Sequence, residues 1–258
     1  MKLKNFYNNY RLLKAKGIGL LDKIRLHRRK RYTPFEIRFF GKKIKAADAP
    51  SFLGMFIEIY LDEHYRFKAQ TDSPLIIDCG TNIGMADIYF KQQYPKARII
   101  SFEADPEIAA IAQNNLKAYG YNDVEILAKV VWINNDGVQF QTEGGTSGRI
   151  VKTAKIFPSI RLKDELAKYS KIDFLKMDIE GAEFEVISDA APELHRVEAI
   201  FIEYHSIKGE EQKLGELLNI LKEAGFRYHL KEAYTTLHPY LERKLQLGMD
   251  LQLNIFGY

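Results

Sequence analysis

The chain has 258 residues, 46% of them apolar, 28% charged and 12% aromatic, with a formal net charge of +4. These proportions describe a globular protein of one large domain, or of one domain with an extension. Cys79 is the sole cysteine, which excludes a disulfide framework, a CxxC redox centre and a cysteine-built zinc site.

The best apolar run, Phe52 to Ile57, is ended by Glu58 and is far too short to span a membrane. Met1-Lys-Leu-Lys lacks the apolar core of a secretory signal, so a cytoplasmic location is expected. Residues 1–45 hold fifteen Lys and Arg against Asp22 and Glu36, and the rest of the chain is net acidic. The densest stretch, His27-Arg-Arg-Lys-Arg31, lies beside a patchy apolar series of Leu3, Phe6, Tyr10, Leu13, Leu20, Leu21 and Ile24. It reads either as a packing helix or lid with a solvated basic face, or as an arm (residues 1–31) for an anionic membrane surface, an acidic partner or nucleic acid. Gly17 and Gly19 interrupt its helical period.

A hairpin is expected over Phe35–Phe40 and Lys43–Ala46, then a helix through Met55–Tyr65. From there short apolar runs alternate with helical segments. The runs are Leu75–Cys79, Ile99–Glu103, Val124–Ala128, Phe174–Asp178 and Ala199–Glu203, and Asp105-Pro106 opens the helix that runs to Tyr119. This alternation predicts an α/β fold with a parallel sheet covered on both faces. Gly225–Leu230 and Leu251–Gly257 read as an antiparallel pair at its edge. Val138–Ile156, with Gly144, Gly145 and Gly148, reads as a hairpin or loop, and Ser147 within it as part of a flap over a ligand. The expected division is an extension and lid over residues 1–69 and a ligand-binding domain over 70–258.

Open α/β sheets bind ligands beyond the carboxyl ends of their strands. The candidate here is Asp78-Cys-Gly-Thr-Asn-Ile-Gly84, whose glycines allow a tight turn and close backbone approach. A dinucleotide loop needs a third glycine where this chain has Asn82, and a carboxylate two residues before Gly80 disfavours a pyrophosphate. A cationic nucleoside such as S-adenosylmethionine suits it better. Glu103 ends the second strand 23 residues beyond Gly80, where a carboxylate would grip a ribose diol. Cys79 reads as a buried small hydrophobe.

Three segments carry a resemblance: Ile76-Ile-Asp-Cys-Gly-Thr-Asn-Ile-Gly84, Ser101-Phe-Glu-Ala-Asp-Pro106 and Asp173-Phe-Leu-Lys-Met-Asp-Ile-Glu-Gly-Ala-Glu183. Together they resemble the successive motifs of FkbM-type S-adenosylmethionine-dependent methyltransferases, over roughly Tyr65 to His205. Thr81 and Ala104 stand where that family more often has Ala and Pro. The resemblance implies a Rossmann-like, class I sheet of seven strands in the order 3-2-1-4-5-7-6. It also implies that Asp78, Gly80, Asn82 and Gly84 line the methionine end of the cofactor and that Glu103 holds its ribose. Residues 1–64 and the C-terminal tail match less clearly and would shape the acceptor site.

Asp178 ends the fourth strand beside the crevice, with Glu180 two residues on and Glu183 one helical turn beyond. Lys176 shares a strand face with Asp178 and would hold it ionised. Asp178 is read as the base or acceptor-positioning group. Alternatively Asp178 and Glu180 share a divalent cation, or the acids cap the next helix; no metal site is assigned. Glu203-Tyr-His205 at the end of the fifth run would complete the site, with His205 as an alternative base.

The expected function is methyl transfer to a hydroxyl of a sugar, glycolipid precursor or other secondary metabolite, the acceptor class resting on the resemblance. A nucleic-acid methyltransferase assisted by the basic arm lacks an Asn-Pro-Pro-Tyr-type motif, and a non-catalytic cofactor-binding scaffold would not need the intact acids. An NAD-dependent oxidoreductase is disfavoured by Asn82.

Overall fold

The structure, a computed structural model, describes residues 17–142, 148–150, 156–242 and 244–258. Ile18 bridges to Phe39 ahead of helix α1 (Leu20–His27). The hairpin is β1 (Phe35–Phe39) with β2 (Lys42–Ala46), within a residue of expectation. Helix α2 (Ala49–Phe56) begins earlier than expected. Asp48 caps it by accepting from the Ser51 N–H, and Pro50 lies in its first turn, where a missing N–H costs nothing. A single π-helical turn, Ile57–Leu61, continues it.

The central sheet comprises β3 (Leu75–Cys79), β4 (Arg98–Glu103), β5 (Glu125–Ala128), β11 (Phe174–Met177), β12 (Ile200–Ile207), β13 (Tyr228–Thr235) and β14 (Met249–Gly257). Its order from edge to edge is β13-β14-β12-β11-β3-β4-β5. Numbered along the chain, these seven strands read 3-2-1-4-5-7-6 from the opposite edge, as the resemblance implies. The first five run parallel, and β14 inserts antiparallel between β12 and the edge strand β13. Strand β13 begins three residues later than the sequence suggests and runs to Thr235. Two short parallel strands went unforeseen, β6 (Val130–Trp132) and β10 (Ser159–Arg161). Between them, β7 (Val138–Thr142) pairs antiparallel with β8 (Gly148–Ile150) and β9 (Ile156–Phe157). Ser147, Gly144 and Gly145 lie outside the described residues.

Helices α3 (Met85–Gln93), α4 (Pro106–Tyr119), α5 (Leu162–Leu166), α6 (Glu183–Ala190) and α7 (Leu214–Glu223) complete the order. Asp105 caps α4 by accepting from the Glu107 and Ile108 N–H groups, and Gly120 ends it at φ +82°. Successive strand residues serve opposite faces. Ile76, Ile99, Phe174 and Phe201 face one apolar cluster; Ile77, Ile100, Leu175 and Ile202 face the other. The hairpin and α2 belong to the first cluster, where Phe39 meets Phe52, Phe56 and Tyr60 edge-on. In α1 the buried residues are Lys23 and Leu26, while Leu20, Leu21 and Ile24 face solvent, the reverse of the apolar series read from the sequence. Among the described residues, no helix is long and apolar enough to cross a membrane.

Candidate active site

Strand order reverses between β3 and β11: the chain lays down β3, β4 and β5 in one direction and resumes beside β3 with β11. A cavity of about 240 Å³ opens there, at the carboxyl ends of the strands. Its floor is Gly80, Thr81, Asn82, Glu103, Asp178, Glu180, Glu203 and His205. Ser51, Gly54, Met55, Glu58 and Ile59 close one side, Phe102, Val130 and Val131 another, and Leu247 and Gln252 of the C-terminal region a third.

The glycine loop has the conformation its residues predict. Gly80 stands at φ +94°, and a β-carbon there would fall 1.9 Å from the Asp178 carbonyl oxygen, so the loop and β11 are in direct backbone contact. Asn82 is left-handed at φ +52°, a conformation asparagine tolerates, with its side chain accepting from the Ile83 N–H at 2.8 Å. Glu103 Oε2 accepts from the Asn82 N–H and Oε1 from the Asp105 N–H, both at 2.9 Å. These bonds turn the carboxylate toward the cavity. Burial pushes the Glu103 carboxyl up to about 7, against the pull of those two N–H groups.

Asp78 and Gly84 do not line this cavity. Asp78 is fully buried beneath the loop, its Oδ1 3.0 Å from Lys176 Nζ on the adjoining strand, where the register sets the two side by side. Gly84 begins α3 at φ +82° and lies against Ala112 of α4. Lys176 therefore serves Asp78 first. It also donates to the Gly80 carbonyl at 2.8 Å and lies 3.8 Å from Asp178 Oδ2. Burial works against its charge, but Asp78 and Asp178 outweigh it and raise its pKa. Cys79 is buried, as expected.

Asp178, Glu180 and His205 come together at the floor. Glu180 sits at φ +60° ahead of Gly181 at φ +107°, a turn that holds a non-glycine residue in an uncommon conformation at the cavity wall. Burial, with Asp178 and Glu203 nearby, pushes Glu180 up to about 8 although His205 pulls the other way. His205 Nδ1 lies 2.9 Å from Glu183 Oε1, and that oxygen also accepts from the Ile179 and Gly181 N–H groups. Burial disfavours an imidazolium, but Glu183, then Glu180 and Glu203, raise its pKa well above the ordinary range. A histidine so held is a poor general base at neutral pH.

The residues missed in the sequence are Glu58, Leu247, Gln252 and the partner role of Glu183, while Glu203 lines the cavity beside His205. Glu58 had a legible signal: Ser51, Met55 and Glu58 share one helical face, so an acid there breaks an otherwise apolar run on a single side. Leu247 and Gln252 carried none, because the fold alone brings the tail to the crevice.

The strand order, the reversal point and an acid-lined cavity over the glycine loop together define a Rossmann-like, class I methyltransferase architecture. Residues 78–228 match the methyltransferase FkbM domain, so the chain belongs to the FkbM methyltransferase family. It is similar to the methyltransferase sdnD of Sordaria araneosa, at 26% identity over 52% of this chain and 66% of that protein. It is also similar to the 2-O-methyltransferase NoeI of Sinorhizobium fredii, at 28% identity over 51% of this chain and 63% of that one. The match thus spans less than two thirds of the length of these curated relatives. The crystal structure of methyltransferase FkbM from Methylobacillus flagellatus shares the fold, with a TM-score of 0.52 at 19% identity over 75% of this chain and 44% of that one.

Proposed function

We propose that this chain transfers a methyl group from S-adenosylmethionine to a hydroxyl of a small polar acceptor such as a sugar or a polyhydroxylated metabolite. The observation that carries the reading is the charge of the cavity. Five carboxyl groups, Glu58, Glu103, Asp178, Glu180 and Glu203, line it against three cations, of which Lys176 and His205 are already engaged by carboxylates and Lys129 stands beside Val130. A cofactor bearing a sulfonium and an ammonium fits such a lining, and a diphosphate meets repulsion. Glu103 has lone pairs left for two vicinal hydroxyls after its backbone bonds, and Phe102, Val130 and Val131 offer a flat apolar wall for a purine. O-methylation is further supported by the relative named as a 2-O-methyltransferase.

When bound, the cofactor supplies an electrophilic methyl on a positively charged sulfur. Asp178, at the end of β11, engages the acceptor hydroxyl. Asp178 and the neighbouring carboxylates of the floor would orient that hydroxyl toward the methyl and take up its proton as the transfer proceeds. Holding acceptor and methyl in line contributes up to ~7–11 kcal/mol. A positioned base adds ~10²–10⁴-fold. The Gly80–Asp178 contact ties the cofactor loop to the strand that carries the acceptor group.

The test combines calorimetry with label transfer. Wild-type protein is expected to bind S-adenosylmethionine and to label a component of a polar metabolite extract. Glu103→Ala is expected to lose affinity, and Asp178→Asn to keep affinity while transfer slows by ~10²–10⁴-fold. Binding of NAD or ATP in place of S-adenosylmethionine, or unchanged affinity in Glu103→Ala, refutes the reading.

A further inference from the structure

Asp178 and Glu203 end or overrun neighbouring parallel strands, and His205 follows Glu203 on the same face of β12. One ligand atom from each of the three lies within 4.8 Å of the other two. Donors around a divalent ion at about 2.0–2.3 Å stand roughly 3–4.5 Å apart, so small side-chain rotations close this trio on one point.

Acidic groups alone would not make a site; the histidine adds the independent observation. Its side chain is 2% exposed, and Nε2 makes no hydrogen bond among the described residues. That nitrogen faces Glu203 Oε1 and Glu180 Oε2, each 3.8 Å away. Nδ1 is meanwhile tied to Glu183, itself fixed by two backbone N–H groups. A carboxylate behind an imidazole is the outer-shell arrangement that sets the tautomer and orients the other nitrogen onto a metal. Among the described residues Asp178 likewise makes no side-chain hydrogen bond, and it approaches Lys176 Nζ at 3.8 Å. Glu58 and Glu180 add two further carboxyl groups at the rim.

We infer that Asp178, Glu203 and His205 hold a divalent cation that takes the place of the Nε2 proton, which is released to solvent, with Glu183 as the positioning residue behind the histidine. One nitrogen and two carboxylates suit ions that accept both donor types, Mn²⁺ among them. Holding the ion does not depend on the proposed function, but its use does rest on that reading. There the ion takes a lone pair of the acceptor oxygen, which acidifies the hydroxyl and fixes its direction. The proton leaves to Glu180, and the oxygen–carbon bond forms as the carbon–sulfur bond breaks.

The experiment titrates the chelator-treated chain with MnCl₂ and follows free Mn²⁺ by electron paramagnetic resonance. One ion per chain is expected, with binding at least about tenfold weaker in Glu203→Gln and His205→Ala. Glu183→Gln is expected to weaken it ~10–100-fold, and Glu103→Gln to leave it unchanged. Should a variant fail to fold, the wild-type complex still answers: nitrogen modulation of the bound Mn²⁺ spin echo reports imidazole ligation. Failure to bind Mn²⁺, Zn²⁺ or Mg²⁺ below millimolar, undiminished binding in folded His205→Ala and Glu203→Gln, or a wild-type echo without nitrogen modulation overturns the inference. Calorimetry of S-adenosylmethionine in chelator, on the same preparation, separates the two readings. Cofactor heat without ion binding sinks only the ion; ion binding without cofactor heat supports the ion and sinks the cofactor assignment.

Discussion

Glu103 is half-buried where it must be charged to serve two hydroxyl donors, and its carboxyl is pushed up to about 7. The ionised form is the better acceptor, so binding below that pH must first remove a proton. S-adenosylmethionine affinity is therefore expected to fall by up to about tenfold per pH unit below about 7. Glu103→Gln should flatten the profile, as measured by calorimetry across pH 5.5 to 8.5. Asp78 presents the opposite case, a carboxylate whose partner is internal. Replacing it by Asn leaves the buried Lys176 ammonium with the Gly80 carbonyl, the Tyr65 ring at 5.7 Å and the more distant Asp178. Removing one member of a buried pair costs ~3–5 kcal/mol, and the remaining contacts set this case at the lower end. A lowered melting temperature in Asp78→Asn is the expected reading.

At the scale of elements, the cofactor loop is anchored from behind by α4. Asn115 Nδ2 donates to the Lys45 and Ile83 carbonyls, and its Oδ1 accepts from the Lys45 N–H, so one side chain joins hairpin, loop and helix. Asn115→Leu leaves those buried backbone groups without partners and is expected to destabilise the fold by about 2–3 kcal/mol in denaturant unfolding. Cofactor affinity should weaken with it, because Ile83 adjoins Asn82, whose N–H holds Glu103. The π-helical turn after α2 has a similar reach: Glu58 and Ile59 line the cavity from within it, while Tyr60 donates to the Met85 carbonyl at the start of α3.

Across the whole molecule, the cavity draws on segments from Ser51 to Gln252. The charge split along the chain does not mark a split in packing, since hairpin, α2 and sheet share one apolar cluster. Local pattern made the central strands, the Asp105 cap and the left-handed glycine loop legible, because each depends on residues close together in sequence. Gly80, Asn82, Glu103, Asp178, Glu180 and His205 were legible as wall residues for the same reason: each sits at the carboxyl end of a recognisable strand or in the turn after it. What the sequence determined by itself was the α/β class, the sheet and the acids around its loop, all consequences of periodicity and turn chemistry over a few residues. Only the tertiary structure decided which partner each acid has. Lys176 turned to Asp78 because strand register sets them side by side, and His205 was claimed by Glu183 because a helix start abuts a strand end. Those choices are made by distances across the sheet, which no local pattern encodes.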